Sequence, residues 1–310
     1  MVKLSKDKRD IYYRLAKQTS YRSRSAFKLL QIDNYFNIFD NCKYVVDLCS
    51  APGGWSQVAH KKLSEKYKKE NPEDNKNQEN NFKIIAVDLQ EMSPIEGVDI
   101  LIGDITNQST LLDIISLSDN KLIDLVMCDG APDVTGFNEF DVHIQIQLIL
   151  YALNISIRML KKGGTFISKV FKGKHTLKIM YILSLFFKKI TISKPKACRN
   201  ASFESFAVCE DFKIEKEFLF LRENLLDAED IIFLNSLFPA YLEEIELEGI
   251  EEISLEKLGI KLIQVGDDLF DSDKTYDLES TNYLTKLAPL QTPINPPYKS
   301  YIDNLKGIKK

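Results

Sequence analysis

The sequence predicts an α/β fold with a mainly parallel, doubly wound sheet and helices on both faces. Short apolar segments rich in valine and isoleucine alternate with longer segments of helical periodicity. With 310 residues, of which 44% are hydrophobic, the chain is long enough to bury a full core. Because neighbouring parallel strands must be joined by a crossover, this alternation favours strand-helix-strand units over hairpins.

The predicted elements follow one another in a regular order. After a basic N-terminal segment, residues 23–36 carry apolar side chains at helical spacing and predict the first helix. Apolar segments predict strands at residues 44–49, 84–88, 99–103, 122–128, 165–171, 189–192 and 206–209. Helical patterns between them predict helices at residues 55–67, 110–117, 140–160 and 176–187. The elements together predict seven strands with helices in the connections.

Two parts of the chain do not follow this alternation. The low-complexity stretch NPEDNKNQENN, residues 71–81, predicts a disordered loop. Beyond residue 211 the alternation stops. We therefore expect one α/β domain over residues 1–212, with an insertion at about residues 68–82. An acidic extension over residues 213–310 would follow, ending in the extended, proline-rich segment APLQTPINPPYK.

Charge is distributed unevenly along the chain, although the net charge is only −4. Residues 1–30 hold nine Lys or Arg and two acids, and residues 158–200 hold twelve Lys or Arg and no acid. Residues 211–280 reverse the balance, with twenty acids against six bases. The two basic segments predict a face that binds a polyanion, and the acidic segment is expected to lie away from it.

Cysteine and histidine usage argues against disulfides and metal sites. The five cysteines form no C-x-x-C pair, and the three histidines show no ligand spacing, so we expect reduced thiols and no metal. No apolar run approaches the roughly 18 residues of a membrane span, and no apolar segment follows the charged start MVKLSKDKRD. We expect a cytoplasmic protein without membrane contact.

The stretch DLCSAPGGWSQ, residues 47–57, predicts a ligand site. It follows an apolar strand, and Gly53 and Gly54 allow a tight turn and a close approach of backbone to ligand. An ordinary strand-to-helix turn is the alternative, because the dinucleotide pattern G-x-G-x-x-G is absent. Acids at four strand ends favour a site, since the carboxyl ends of parallel strands meet at one edge of a sheet: Asp47, Asp88, Asp104 and Asp129.

Six segments in this order resemble one known family: SKDKRDIYYRLAKQTSYRSRSAFKLLQID, DLCSAPGGWSQ, AVDLQEM, CDGAPDVTG, ISKVFKG and KPKACRNASFESFAV. The chain resembles the FtsJ/RrmJ-type ribose 2′-O-methyltransferases. Within them it is most similar to the eukaryotic cytoplasmic enzymes that act on the tRNA anticodon loop. The resemblance covers residues 5–209 and implies a Rossmann-like, S-adenosylmethionine-dependent methyltransferase fold. It also implies that residues 1–212 form an FtsJ-like methyltransferase domain.

The resemblance implies which residues bind the cofactor and which perform the chemistry. S-adenosylmethionine would lie against Gly53, Gly54, Trp55, Asp47, Asp88, Asp104 and Asp129. For Trp55, packing at a helix start is the alternative role. The catalytic set would be Lys28, Asp129, Lys169 and Glu204.

A ribose 2′-hydroxyl becomes a good nucleophile only when its proton is removed or strongly hydrogen-bonded, and a neutral lysine could accept that proton. Burial of Lys169 and a second cation at Lys28 would lower the pKa of the Lys169 amine and help to keep it neutral. Asp129 and Glu204 would raise it. The sequence leaves this balance open.

The substrate is expected to be tRNA, which would bind to a basic face that also holds an aromatic side chain. The resemblance also implies separate helper protein subunits that select the nucleotide. Any of Tyr12, Tyr13 and Tyr21 could stack on an unpaired base. Ribosomal RNA and the messenger RNA cap are alternative substrates, and an inactive RNA-binding scaffold is an alternative function. The basic residues expected on this face are Arg9, Arg14, Arg22, Arg24, Lys172, Lys174, Lys194, Lys196 and Arg199.

Overall fold

The computed structural model describes residues 10–70, 82–131, 138–173, 175–223, 228–237, 254–267, 269–270 and 272–274. The predicted loop at residues 71–81 and the proline-rich segment lie outside these ranges. Most of the acidic extension also lies outside them.

The core of the fold is one sheet with eight strands in the described residues. Their order across the sheet is β3-β2-β1-β4-β5-β7-β6-β8. The first five strands in this order run parallel, β7 runs antiparallel to both neighbours, and β8 is parallel to β6. The strands are β1 (Tyr44–Leu48), β2 (Lys83–Asp88), β3 (Asp99–Ile102), β4 (Ile123–Cys128), β5 (Leu160–Phe171), β6 (Phe187–Pro195), β7 (Glu204–Phe212) and β8 (Lys261–Val265).

Helices cover both faces of this sheet, as the doubly wound prediction requires. Two apolar clusters form the layers: one packs α2 and α3 against the sheet, and the other packs α4, α5 and α6 against the opposite face. A short 3-10 helix at Lys216–Phe218 precedes α7. The helices are α1 (Ile11–Gln18), α2 (Ala26–Phe36), α3 (Gly54–Glu70), α4 (Gln108–Leu117), α5 (Asn138–Met159), α6 (Thr176–Phe186), α7 (Phe220–Glu223) and α8 (Ala228–Ser236).

Local sequence signals account for several of the helix ends. Asp10 begins α1 as its N-cap, because its carboxylate accepts a hydrogen bond from the Tyr13 amide at 3.2 Å. Asn37 ends α2 in the left-handed conformation, with φ of 54°, which asparagine tolerates better than most residues. Helix α2 carries Lys28, one of the residues expected to be catalytic.

The α/β fold and the mainly parallel sheet are confirmed, but the sheet has one strand more than the seven predicted. The additional strand, β8, comes from the acidic extension and pairs with β6 from Thr191 to Pro195. Its sequence KLIQV is short and mostly exposed, and Val265 is its buried residue. Edge strands of this kind carry little apolar periodicity, so the sequence does not predict β8. Its pairing with β6 identifies it as a strand.

The extension is also attached through a buried ion pair. Arg158 on α5 places its Nη2 2.7 Å from Oδ2 of Asp230 on α8, and both residues are buried.

None of the helices in the described part of the chain combines the length and hydropathy that a membrane span requires.

Candidate functional site

The four strand-end acids meet at one cavity of about 480 Å³ at the carboxyl edge of the sheet. Asp47 lies on β1, Asp88 ends β2, and Asp104 and Asp129 follow β3 and β4. All four contribute to the cavity wall. The parallel strand order produces this meeting point, because it brings to one edge residues that are distant in sequence.

The glycine turn closes one side of the cavity. Gly53 has φ of +103°, and a Cβ there would lie 2.6 Å from Cδ1 of Ile95. The positive φ favours glycine at this position, whereas the contact is with the end of a flexible side chain that can move. Gly54 begins α3 and lines the cavity, whereas Gly53 shapes the turn.

Arg22 holds this turn in place. Its Nη1 donates to the carbonyl oxygens of Ser93 at 2.6 Å and Pro52 at 3.3 Å, and its Nη2 donates to that of Pro94 at 2.7 Å. We expected Arg22 on the RNA-binding face. The structure instead uses its guanidinium to join the glycine turn to the loop after β2, because three carbonyl acceptors surround it.

Asp47 is the most deeply buried acid of the cavity. One carboxylate oxygen accepts a hydrogen bond from Ser56 Oγ at 2.6 Å, and the other, Oδ1, has no hydrogen-bond partner in the described part of the chain. Burial raises the pKa of Asp47 to about 7, with nearby Asp129 and Asp88 acting in the same direction. A buried carboxylate oxygen that lacks a hydrogen-bond partner favours the binding of a cationic group of a ligand.

Asp88 and Asp104 each combine a turn role with a place on the cavity wall. Asp88 accepts hydrogen bonds from the amides of Ala51 and Gln90, both at 2.8 Å. Asp104 accepts from the amide and hydroxyl of Thr106, also at 2.8 Å. These bonds hold the carboxylates in fixed orientations at the cavity.

Two apolar residues of the cavity were missed by sequence reasoning. Leu89 and Ile105 line it, and each follows one of the strand-end acids directly. The signal was the repeated acid-plus-aliphatic pair at successive strand ends. Such side chains provide the apolar walls that a flat aromatic ring needs.

Trp55 is a packing residue with a polar contact. It is buried, its ring centroid lies 5.5 Å from that of Phe206, and its Nε1 donates to both the carbonyl and the hydroxyl oxygen of Ser25 at 3.0 Å. It also forms part of the cavity wall. Its indole therefore holds α2 against α3 at the cavity.

The four residues expected to be catalytic lie together as two ion pairs. Lys169 Nζ is 2.7 Å from both Oδ1 and the backbone oxygen of Asp129, and Lys28 is paired with Glu204. Lys169 and Asp129 line the first cavity, whereas Lys28 and Glu204 line a second cavity of about 390 Å³. One ion pair therefore lines each cavity.

The charges of these ion pairs act on one another. Burial lowers the pKa of the Lys169 amine, but the carboxylates of Asp129 and Glu204 raise it by more, so it lies above its ordinary value. Burial raises the pKa of Asp129, but Lys169 and Lys28 outweigh it, so this pKa is lowered. The balance that the sequence left open therefore favours the protonated amine, because the effect of the two acids exceeds that of burial.

Ser25 is a further site residue that sequence reasoning missed. Its hydroxyl donates to Oδ2 of Asp129 and accepts from Trp55, so it links the acid to the packing of α2. It lies one turn before Lys28 in the segment SRSAFKLL, and this spacing was the available signal.

Several residues expected on the RNA-binding face have other contacts. Tyr12 is buried against Phe27, with ring centroids 5.6 Å apart, so it is not available for stacking. Tyr21 also packs on Phe27, at 5.7 Å, and Arg24 pairs with Asp10. The expected positions Arg9 and Lys174 lie outside the described residues.

Across the described ranges, no group of three or more His, Cys, Asp or Glu side chains is placed to hold a metal ion. All five cysteines are free thiols.

An α/β methyltransferase is the class of protein that this fold and this cavity define. A family model described as FtsJ-like methyltransferase matches residues 21–212. The chain belongs to the FtsJ-like methyltransferase family and is an enzyme of that class.

Two relatives extend the similarity over almost the whole chain. A mouse protein named tRNA (cytidine(32)/guanosine(34)-2′-O)-methyltransferase is 40% identical over 304 residues, covering 96% of this chain and 85% of its own length. A Schizosaccharomyces pombe protein of the same name is 41% identical over 304 residues, covering 98% and 97%. A solved Plasmodium falciparum structure, described as a ribosomal RNA methyltransferase, is similar in fold, with a TM-score of 0.52 at 24% identity. This similarity covers 62% of this chain and 98% of the other.

The residues of the first cavity fit the chemical groups of S-adenosylmethionine, the cofactor that the family implies. The orphaned Asp47 oxygen suits the amine, and Asp88 can accept from ribose hydroxyls. Leu89 and Ile105 suit the adenine ring, and Asp104 suits its amino group. The amine, the ribose and the adenine of the cofactor thus each have a matching side chain in the cavity wall.

Proposed function

We propose that this protein methylates ribose 2′-hydroxyls in the anticodon loop of cytoplasmic tRNA, with S-adenosylmethionine as the methyl donor. The observation that carries the proposal is the presence of two Lys–carboxylate ion pairs, one in the wall of each cavity. One cavity suits the cofactor, and the other opens beside Arg24, Lys28 and Arg199. A phosphate-bearing substrate suits this second cavity because its wall holds three cations against one carboxylate, that of Glu204.

Cofactor and substrate would meet at Lys169. S-adenosylmethionine supplies an electrophilic methyl group when bound, and the protein must hold the 2′-hydroxyl beside that group and manage its proton. Lys169, fixed by Asp129, is placed to bond the hydroxyl and to receive its proton once the amine is neutral. Lys28 and Glu204 hold the ribose from the second cavity.

The near-complete alignment with two proteins named for tRNA favours tRNA over the other substrates. Ribosomal RNA and the messenger RNA cap remain second candidates, because the same four residues suit all three reactions. An inactive scaffold is disfavoured by the intact ion pairs, since binding alone does not need two buried lysine–carboxylate contacts.

Mapping of ribose methylation in total RNA tests this proposal. Cells lacking the gene should lose 2′-O-methyl groups in the tRNA anticodon loop and regain them when the gene is restored. Losses confined to ribosomal RNA or to the cap would support the second candidates. Unchanged methylation throughout would support the scaffold.

The acidic extension is proposed to bind a helper protein subunit that selects the nucleotide. Its acids repel phosphate, so a partner protein suits them better than RNA. Glu243, Glu244, Glu251 and Glu252, outside the described residues, are the positions to reverse in charge. Co-purification with the helper should be lost in that variant. Tighter RNA binding with the helper retained would contradict the assignment.

A further inference from the structure

Phe203 is an exposed aromatic side chain beside the second cavity. Its side chain is 70% exposed, whereas most phenylalanines of the described chain are packed in the core. Its neighbours Ser202 and Glu204 both line the cavity that contains Lys28. A single exposed apolar residue is ordinary, so exposure alone assigns no role.

The charges around Phe203 give a second, independent observation. The Lys172 amide donates to the Phe203 carbonyl at 2.9 Å, and Lys194 Nζ donates to the Ser202 carbonyl at 2.8 Å. Burial lowers the pKa of Lys172, and the nearby Lys194 lowers it further. Both lysines therefore contact the backbone of the segment that carries Phe203, Lys172 through its amide and Lys194 through its ammonium group.

These two cations have no carboxylate partner among the described residues. Lysines at the other end of β6 are neutralised: Lys188 pairs with Asp211 at 2.8 Å, and Lys189 pairs with Glu210 at 2.6 Å. Lys194, near the carboxyl end of β6, and Lys172, directly after β5, instead carry positive charge that no described carboxylate offsets. An anionic ligand would relieve the repulsion between Lys172 and Lys194.

We propose that Phe203, Lys172 and Lys194 form a subsite for an unpaired nucleotide adjacent to the one that is methylated. The ring stacks on the base, and the two ammonium groups bind its phosphates. This inference rests on the proposed function, because it takes the second cavity as the place of the target ribose. It also supplies the stacking residue that buried Tyr12 cannot provide.

RNA fits these observations better than a protein surface does. A base presents a flat face to an aromatic ring whatever its sequence, and its phosphate meets the lysines at the same time. An apolar protein contact would use the ring but leave both cations uncompensated. The subsite therefore favours a single-stranded loop over a duplex, whose bases are already stacked.

Substitutions at Phe203 separate stacking from simple apolar contact. The probe is an anticodon stem-loop RNA carrying 2-aminopurine at each unpaired position in turn, bound to the full chain. Wild type and Phe203→Trp should quench the fluorescence of one loop position. Phe203→Leu and Phe203→Ala should not quench it, and Phe203→Ala should bind roughly 5- to 100-fold more weakly.

Two further variants complete the test. Ile232→Ala on α8 is the matched control, because Ile232 is 69% exposed and lies outside both cavities, and it should change neither signal. Lys172→Gln and Lys194→Gln should each reduce the slope of log K against log salt by about 1.

The results that overturn the inference are distinct from those that overturn the proposed function. Full quenching and unchanged affinity in Phe203→Leu would show that no stacking occurs. Unchanged RNA binding in Phe203→Ala, with loss of activity only when a helper protein is present, would assign the ring to that protein. Since quenching and affinity are measured without methyl transfer, they remain readable even if wild type methylates no tRNA.

Discussion

The buried carboxyl of Asp47 destabilises the folded protein when it is ionised, and a cationic group of a bound ligand would offset this destabilisation. Burial raises the pKa of Asp47 to about 7 because its ionised form lacks water and one oxygen lacks a partner. In the native state the group keeps its proton in a pH range where the unfolded chain has already lost it. The contribution of Asp47 to stability is therefore highest below its unfolded pKa of about 4 and decreases as the pH rises to about 7.

Asp47→Asn should remove this pH dependence. The variant should be more stable than wild type at pH 8, by as much as about 4 kcal/mol, and close to wild type at pH 4. It should also bind S-adenosylmethionine more weakly, because it lacks the anion that suits the amine. Denaturant unfolding at the two pH values and calorimetry with cofactor provide the measurements. A variant no more stable than wild type at pH 8 would contradict the raised pKa.

Lys169 is the residue whose loss should most reduce methyl transfer. Lys169→Ala should bind cofactor and tRNA almost as wild type does, yet lose roughly 10²- to 10⁴-fold in single-turnover rate. Lys169→Arg should not restore the rate, because a guanidinium keeps its proton at working pH. A near-wild-type rate for Lys169→Arg would show that positive charge alone is needed.

The raised pKa of Lys169 adds a pH dependence to this chemistry. Asp129 and Glu204 overcome the effect of burial and keep the amine protonated at neutral pH. If the neutral amine accepts the proton, the single-turnover rate should rise about tenfold for each pH unit below that pKa. A rate that stays flat from pH 6 to pH 9 would exclude Lys169 as the base.

At the scale of elements, the turn between β1 and α3 depends on a backbone that only glycine adopts readily. Gly53→Ala should weaken cofactor binding roughly 5- to 150-fold, on the order of 1–3 kcal/mol, because the positive φ strains any residue with a Cβ and displaces the turn. The measurement is cofactor affinity by calorimetry. Gly259→Ala is the control: its φ of +69° is also positive, it lies outside the cavity, and nothing lies within 4 Å of its Cβ position. Equal cofactor affinity in both variants would contradict the role of the turn.

The strand β8 illustrates a limit of local patterns. Strands β1, β2 and β4 are buried on both faces, so their apolar residues were enough to predict them from the sequence. Strand β8 lies at the sheet edge with most side chains exposed, so no period separates it from a loop. Its place depends on hydrogen bonds to β6, which the local sequence does not encode.

At the scale of the whole molecule, Arg158 and Asp230 couple the extension to the α/β domain. Asp230→Ala should lower the free energy of unfolding by about 3–5 kcal/mol, because it leaves the Arg158 guanidinium buried without its carboxylate. The double variant Arg158→Met/Asp230→Ala should recover much of this loss, since it removes the orphaned charge. Denaturant unfolding measures both. A double variant as unstable as the single one would show that the ion pair is not the source.

The sequence alone determined the layers of this protein and the residue types of its site. Hydrophobic period and strand-end acids are local properties, so the α/β order, the glycine turn and the candidate acids could be predicted without coordinates. Tertiary structure decided which charges face one another: Lys169 with Asp129, Lys28 with Glu204, and Arg22 with three carbonyls. It also buried Tyr12 and left Phe203 exposed. The physical reason is that burial and pKa depend on distances between segments far apart in the chain, which only the packed fold sets.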